Sequence, residues 1–320
     1  MNAPPRELLS LIGPTASGKT SLSLELARRL DGEIISVDSR QVYRFMDVGT
    51  DKVSRKVREE IPHHLIDVAD PDETFSAADF AAGASKAVER ILARGRAPIL
   101  AGGSPFYFKA LFSDVIHEGL ERWDDTRKEY EKEWDRGRSK ALYRKLESHD
   151  AEYASRIHPN DRFRIIRALS IIDRTGESPT SLRAKGSVNP NPFRPFYVGL
   201  YPGRAELYRT IEERVREQFA SGYPEEVASL LSKGFGPELP SMNGFGYREL
   251  AAFHRGEVTL EEAIEGDIKA TKAFARRQMT WFRRFSPCLW YYVTGTSIQD
   301  IAMKVVGLWE ARQGEQPGWS

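Results

Sequence analysis

With 320 residues and 40% hydrophobic content, the chain is long enough to bury a sizeable core and is expected to form two units. Its 47 basic and 46 acidic residues nearly cancel, which excludes a uniformly cationic nucleic-acid binder and confines any such surface to a local patch. A lone cysteine, Cys288, excludes an internal disulfide; no Cys/His cluster has zinc spacing, and neither a signal-peptide core nor an apolar run of membrane-spanning length is present, so the sequence reads as cytosolic, with no membrane contact.

The first predicted strand is Leu8-Leu9-Ser10-Leu11-Ile12, followed by Gly13-Pro14-Thr15-Ala16-Ser17-Gly18-Lys19-Thr20 and a helix with Leu22, Leu26, Ala27 and Leu30 on one face. Strand, glycine-rich turn and helix together make G-x-x-x-x-G-K-[ST] a phosphate cradle. Its glycines let successive N–H groups point inward, and the helix start adds free donors and the positive dipole end. Lys19 would meet the terminal phosphates, and the Thr20 hydroxyl would ligate Mg²⁺.

Glu33–Val37 reads as a second strand ending in Asp38-Ser39-Arg40-Gln41-Val42-Tyr43. Polar residues at a strand's carboxyl end in a parallel sheet lie where ligands bind. Asp38 is open to three readings there: a general base, a Mg²⁺-organising carboxylate, or, with Ser39, a helix N-cap. Pro62–Val68 reads as a third strand; its adjacent histidines, His63 and His64, face opposite ways, one to solvent and one packed, with no third metal ligand in view. Ser76–Leu92 is an amphipathic helix, and Pro98–Ala101 a fourth strand ending in Gly102-Gly103-Ser104-Pro105.

The texture changes at Glu118. Residues 121–150 carry nine basic and nine acidic side chains threaded with Trp123, Tyr130, Trp134 and Tyr143, the pattern of solvated helices in an inserted unit. His158-Pro159-Asn160-Asp161 starts a helix bearing Arg162, Arg164, Arg167 and Arg174, and Val188–Pro195 is the return linker. Phe196–Leu200 is a fifth strand, Arg204–Ala220 and Glu225–Lys233 are helices, and Met242-Asn243-Gly244-Phe245-Gly246-Tyr247-Arg248-Glu249 follows. The last long helix, Glu261–Phe285, sets Lys269, Lys272, Arg276 and Arg283 on one stripe, with Phe274, Trp281 and Phe285 on an opposing apolar one. Arg277 and Arg284 fall on a neighbouring face. Such a stripe fits a nucleic-acid contact. Trp290–Val293 is a closing strand. The expected organisation is an α/β, P-loop NTPase-like parallel-sheet core (1–117 and 188–313), a helical insertion (118–187) and a disordered tail (314–320).

The ordered motifs GPTASGKT (13–20), DSRQVYRFMDVGT (38–50), PHHLID (62–67), SAADF (76–80), HPND (158–161), GFGYRE (244–249) and RRQMTWFRR (276–284) resemble the tRNA dimethylallyltransferases, also called tRNA isopentenyltransferases. The resemblance implies transfer of a dimethylallyl group from dimethylallyl diphosphate to N6 of adenosine 37 in tRNA, with Mg²⁺, by a monomer. It implies diphosphate binding by Gly13, Thr15, Ala16, Ser17, Gly18, Lys19, Thr20 and Arg214, and catalysis by Asp38 with Lys19 and Thr20. It implies RNA contact by Asp38, Ser39, Arg40, Gln41, Ser104, Phe163, Arg164, Arg167, Gly246, Tyr247 and Arg248, and on the basic helix by Lys272, Arg276, Arg277, Gln278, Trp281 and Arg283. That chemistry agrees with the residues: a diphosphate leaving group needs a cationic cradle, an exocyclic amine needs a carboxylate, and a loop base must be turned out of its stack.

The chain departs from the family pattern at Ser104-Pro105 for Thr-Gly, Phe163 for glutamine, Thr210 for an arginine of the diphosphate site, and Lys272-Ala273 for Arg-Gln. Two other functions compete: a P-loop small-molecule kinase with ATP in the cradle, and a non-catalytic RNA-binding relative. The basic helix and arginine-rich insertion disfavour the first, and Lys19, Thr20 and Asp38 the second.

Overall fold

The structure, a computed structural model, describes residues 5–112, 125–185 and 191–314. β1 (Arg6–Ile12) has six buried residues in succession, as in a strand covered on both faces. α1 (Lys19–Arg29) leads to β2 (Gly32–Val37), buried throughout. The short α2 (Arg55–Glu60) and the two-residue β3 (His63–His64) precede α3 (Ala77–Ala93), which opens on a Ser76/Asp79 capping box. β4 (Ala97–Gly102) runs into α4 (Pro105–Phe112). The helices α5 (Asp125–Glu133), α6 (Ser139–His149), α7 (Ala151–Ser155), α8 (Arg162–Thr175) and α9 (Pro179–Lys185) follow. The chain continues through β5 (Phe193–Tyr201), α10 (Arg204–Ala220), α11 (Tyr223–Ser232), α12 (Tyr247–His254), α13 (Leu260–Phe282), β6 (Cys288–Tyr292) and α14 (Ile298–Gly314).

Among the described residues six strands make one all-parallel sheet in the order β3-β2-β4-β1-β5-β6. The carboxyl ends of β1, β2 and β4 are therefore neighbours, and the loops that leave them open on one edge, where ligands bind in such sheets. One sheet face packs Leu9, Leu11, Ile34, Ile99, Val198 and Leu200 against Leu22 and Leu26 of α1 and Ile301, Val305 and Trp309 of α14. Each such side chain removed from water contributes about 1.5–3 kcal/mol, so α14 is part of the core. An aromatic cluster lies at α4 and the end of α13, where Phe108 meets Tyr197 edge-on at 6.1 Å and Phe282 at 6.3 Å.

The chain divides into two compact units, Met1–Leu111 with Phe193–Ser320, and Phe112–Pro192. The boundaries expected after residues 117 and 187 lie outside the described residues. The smaller unit has its own core of Tyr130, Leu142, Leu146, Ile165 and Leu169. In it Asp161 caps α8 by accepting the Arg164 N–H at 3.1 Å, so the HPND segment does start a helix.

Four expectations need correcting. The third strand stops after His64 because Leu65 and Asp67 take positive φ (62° and 58°), which breaks a pleated strand. The expected linker ends earlier than Pro195: Phe193–Pro195 already pairs with Arg6–Leu8. β6 joins β5 only from Tyr197 onward, so Pro195 sits where its missing N–H has no ladder partner to lose. Neither histidine lies on an open surface: His64 Nε2 is 2.6 Å from Glu33 Oε2, and His63 Nδ1 is 2.6 Å from the Ile61 carbonyl. Gly314 closes α14; the rest of the expected disordered tail lies outside the described residues.

Candidate active site

The loop between β1 and α1 is shaped by Gly13 (φ 152°) and Gly18 (φ 86°). A Cβ on Gly13 would stand 2.5 Å from the Leu200 carbonyl oxygen, so only glycine fits. Ala16 also takes positive φ, at 60°. The Ser17 hydroxyl is buried without a hydrogen-bond partner, as expected of a donor kept for a ligand. Lys19 folds back over the loop and donates to the Pro14 carbonyl at 2.5 Å. Burial and, after it, the Arg214 guanidinium push the Lys19 ammonium down to about 7, against the pull of Asp38 and Asp51. A cation so destabilised marks a site short of negative charge. Thr20, exposed in the first turn of α1, turns its residue toward the same cavity.

Arg214 reaches in from α10. It donates to Thr15 Oγ1 at 2.6 Å and pairs with Asp51 at 3.3 Å, while its buried Nε has no partner. Thr210, one turn earlier, lines the cavity where the family pattern has arginine; Arg209 instead stands near Glu213 on the surface.

Asp38 lines the same cavity. Its Oδ1 accepts the N–H groups of Arg40 at 2.8 Å and Gln41 at 3.4 Å. No helix begins here, since the next is α2 with Ser54 as its cap; the N-cap reading of Asp38 and Ser39 is overturned. The Asx turn fixes one oxygen and leaves Oδ2 for another partner. Ser104 Oγ accepts the Ser39 N–H at 3.0 Å, and Pro105 is the first residue of α4, where an N–H has no helical partner and its loss costs nothing.

Several residues expected at an RNA surface are consumed within the protein. The Gln278 side chain, in a residue 3% exposed, accepts the Thr15 N–H at 2.8 Å and donates to the Gly103 carbonyl at 2.7 Å; it braces the phosphate loop against the Ser104 loop. Gln41 accepts from Ser36 Oγ at 2.8 Å and donates to the Thr50 carbonyl at 3.1 Å. Arg40 donates to the Pro240 and Ser241 carbonyls. The Tyr247 ring is buried and its hydroxyl donates to Glu226 at 2.7 Å. Glu226 also accepts the N–H groups of Asp47 at 2.7 Å, Val48 at 2.6 Å and Gly49 at 3.2 Å. Gly246 (φ 82°) is held against Tyr223 and Asp267, and burial, then Glu249, pushes Asp267 up to about 7 although the Thr271 hydroxyl opposes it. Asp51 and Glu226 escaped the sequence reading because their partners are distant in the chain, and Asp267 because its burial depends on elements packed around it; only the DVGT motif next to Asp51 hinted at one of them.

These elements enclose a cavity of about 420 Å³ lined by residues 15–20, Asp38, Ser39, Arg40, Gln41, Ser104, Arg214, Tyr247 and Gln278, within the ~300–1,000 Å³ of small-molecule sites. Arg248, Lys272, Arg276, Arg277, Trp281 and Arg283 are not among its lining residues. On α13 the buried stripe is Ile264, Ile268, Thr271, Ala275, Gln278 and Phe282; Phe274 and Trp281 flank it half-exposed, a rotation from the expected apolar face. Arg276 and Arg283 are exposed, Lys272 is paired with Glu212, Arg277 lies over Phe274, and Arg248 pairs with Glu249. In the smaller unit Phe163 is 56% exposed with Arg127 over its ring at 5.6 Å, Arg164 pairs with Asp161, and Arg167 is half-buried.

The chain as a whole finds its match in known proteins. The family model for IPP transferase matches residues 41–285. This chain belongs to that family. It is 43% identical to the tRNA dimethylallyltransferase of Thermomicrobium roseum over 90% of its own length and 87% of that protein's. The crystal structure of the tRNA isopentenylpyrophosphate transferase of Bacillus halodurans has 36% identity and a TM-score of 0.70, covering 98% of this chain and 100% of that one. A eukaryotic dimethylallyltransferase acting on tRNA gives a TM-score of 0.83 at 25% identity, covering 98% of this chain and 81% of that one. Its P-loop core and α/β class are those of this family.

Proposed function

We propose that the chain is a tRNA dimethylallyltransferase that moves the dimethylallyl group of dimethylallyl diphosphate to N6 of adenosine 37, releasing diphosphate. The observation that carries this reading is that Lys19, Arg214 and Asp38 line one cavity, with the Asp38 carboxylate and the Arg214 guanidinium both acting on the Lys19 ammonium. The N6 lone pair forms a bond to C1 of the prenyl group as the C1–O bond breaks and its electrons leave with the diphosphate. Lys19, Arg214 and the N–H groups at the start of α1 stabilise that developing charge. Asp38 Oδ2 accepts the proton lost from N6.

Among the described residues no cluster of three His, Cys, Asp or Glu could hold a metal. The Thr20 hydroxyl, on a residue that lines the cavity, would hold Mg²⁺, an ion that keeps most of its waters and is shared with substrate phosphates. Bound there, the ion would offset diphosphate charge. We assign the protein to the cytosol, acting on tRNA as a monomer. No helix among the described residues is long and apolar enough to cross a membrane. The exposed cations of α13 and the Phe163–Arg167 segment are assigned to RNA contact.

Incubation of the protein with Mg²⁺, dimethylallyl diphosphate and unmodified tRNA should release diphosphate only when tRNA is present. ADP formed from ATP in a parallel reaction, without tRNA-dependent diphosphate release, would favour a kinase instead.

A further inference from the structure

Phe106 is 57% exposed, although the rest of α4 packs inward through Tyr107, Phe108, Ala110 and Leu111. Its ring lies against Trp281, with centroids 4.7 Å apart and planes inclined by 59°. Lys109 Nζ is 4.7 Å from the centre of the same indole, and the Arg284 guanidinium 5.7 Å. Phe106 follows Ser104 by two residues and Trp281 follows Gln278 by three, and Gln278 and the Ser104 loop are joined through the Gly103 carbonyl. The aromatic pair is therefore rooted in the two segments that build one wall of the cavity.

We propose that Phe106 and Trp281 form a stacking step for an unpaired base next to the reacting adenosine, with Lys109 and Arg284 meeting the phosphates on either side. The assignment rests on the reading of the substrate as tRNA. Turning one base out of a loop deprives its neighbour of a stacking partner, and an exposed aromatic ring replaces that partner without regard to sequence. Both charged groups that stand over the indole are cations, which suits a polyanion more than an apolar protein face.

The test uses the full chain and a tRNA anticodon stem-loop with 2-aminopurine beside the target adenosine. In the wild type the probe's fluorescence should be quenched on binding. Phe106→Ala should weaken RNA binding by about five- to a hundredfold, the range for loss of one base–aromatic stack, relieve the quench, and leave the salt dependence unchanged. Phe106→Leu, which keeps the apolar bulk, should behave the same way if the ring is what matters. Lys109→Ala should instead lower the log–log salt slope by about 0.7, as for one lost single-strand phosphate contact. Binding of dimethylallyl diphosphate alone reports that each variant is folded and should not change. Full quench and wild-type affinity in both Phe106 variants would overturn the stacking step while leaving the enzyme reading intact. So would a wild-type dimer that Phe106→Ala splits, since a second copy would then cover the rings. A wild type that binds donor but no stem-loop would overturn both.

Discussion

Replacing Gln278 by Met keeps the length of a buried side chain but removes both hydrogen bonds of its amide. The Thr15 N–H and the Gly103 carbonyl, now bonded at 2.8 and 2.7 Å, would each lose a partner. A stranded buried group costs about 1–3 kcal/mol, so the two together cost about 2–6 kcal/mol. For a unit of this size that is a fall in melting temperature of about 4–24 °C. Gln278→Glu isolates the second bond. Its carboxylate still accepts from Thr15, but its other oxygen faces the Gly103 carbonyl and can bond only when protonated. The folded-state pKa of this glutamate is then raised above the ordinary value of about 4.3. The folded variant binds its proton more tightly than the unfolded chain, so its stability falls as pH rises from about 4.3 through the raised value. Calorimetry should find the Glu variant nearer to wild type at about pH 5 than at about pH 8. Both variants should raise the KM for the diphosphate donor, because Thr15 lines the cavity proposed to hold it, and leave tRNA affinity nearly unchanged. A Met variant melting within about 1 °C of wild type, or a Glu variant with a pH-independent deficit, would refute the bracing role.

Asp267, pushed up to about 7 by burial, retains its proton in the folded state at pH values where the unfolded chain has released it. Wild-type stability therefore falls, relative to Asp267→Asn, as pH rises from about 4 to about 7 and runs parallel above that; urea midpoints across this range check it, and a constant difference would argue against it. Asp38→Asn preserves the acceptor for the Arg40 N–H but loses the base, so single-turnover prenyl transfer should slow by about 10²–10⁴-fold. Turnover within a few-fold of wild type would return Asp38 to a purely structural role. Arg276→Ala should lower the salt slope of tRNA binding by about 0.7, whereas Lys272→Ala, whose ammonium is paired with Glu212, should leave the slope at its wild-type value in a filter-binding series; equal effects would mean that this pair opens on binding.

Much of the fold was legible because its signals are local. The P-loop, the strands of the sheet centre and the helix caps at Ser76 and Asp161 depend on residues a few positions apart. α14 carried a readable stripe in Ile301, Val305 and Trp309, yet no chemical motif directed attention to it. What stayed hidden depends on long-range pairing. Gln278 reads as a polar residue on a basic helix, and nothing nearby reveals that its partners lie 263 and 175 residues away. Lys272 has the spacing of a stripe member, but Glu212 neutralises it from 60 residues upstream. The burial that moves Lys19 and Asp267 is likewise a property of assembled walls.

The most direct test of the account is the identity of the product. The protein is mixed with Mg²⁺, dimethylallyl diphosphate and unmodified tRNA, the RNA is digested to nucleosides and oligonucleotides, and both are examined by mass spectrometry. The account predicts N6-dimethylallyladenosine confined to position 37 with the wild type, and none with a folded Lys19→Ala variant that still binds tRNA. Unmodified adenosine throughout, or the same product yield from Lys19→Ala, would contradict it.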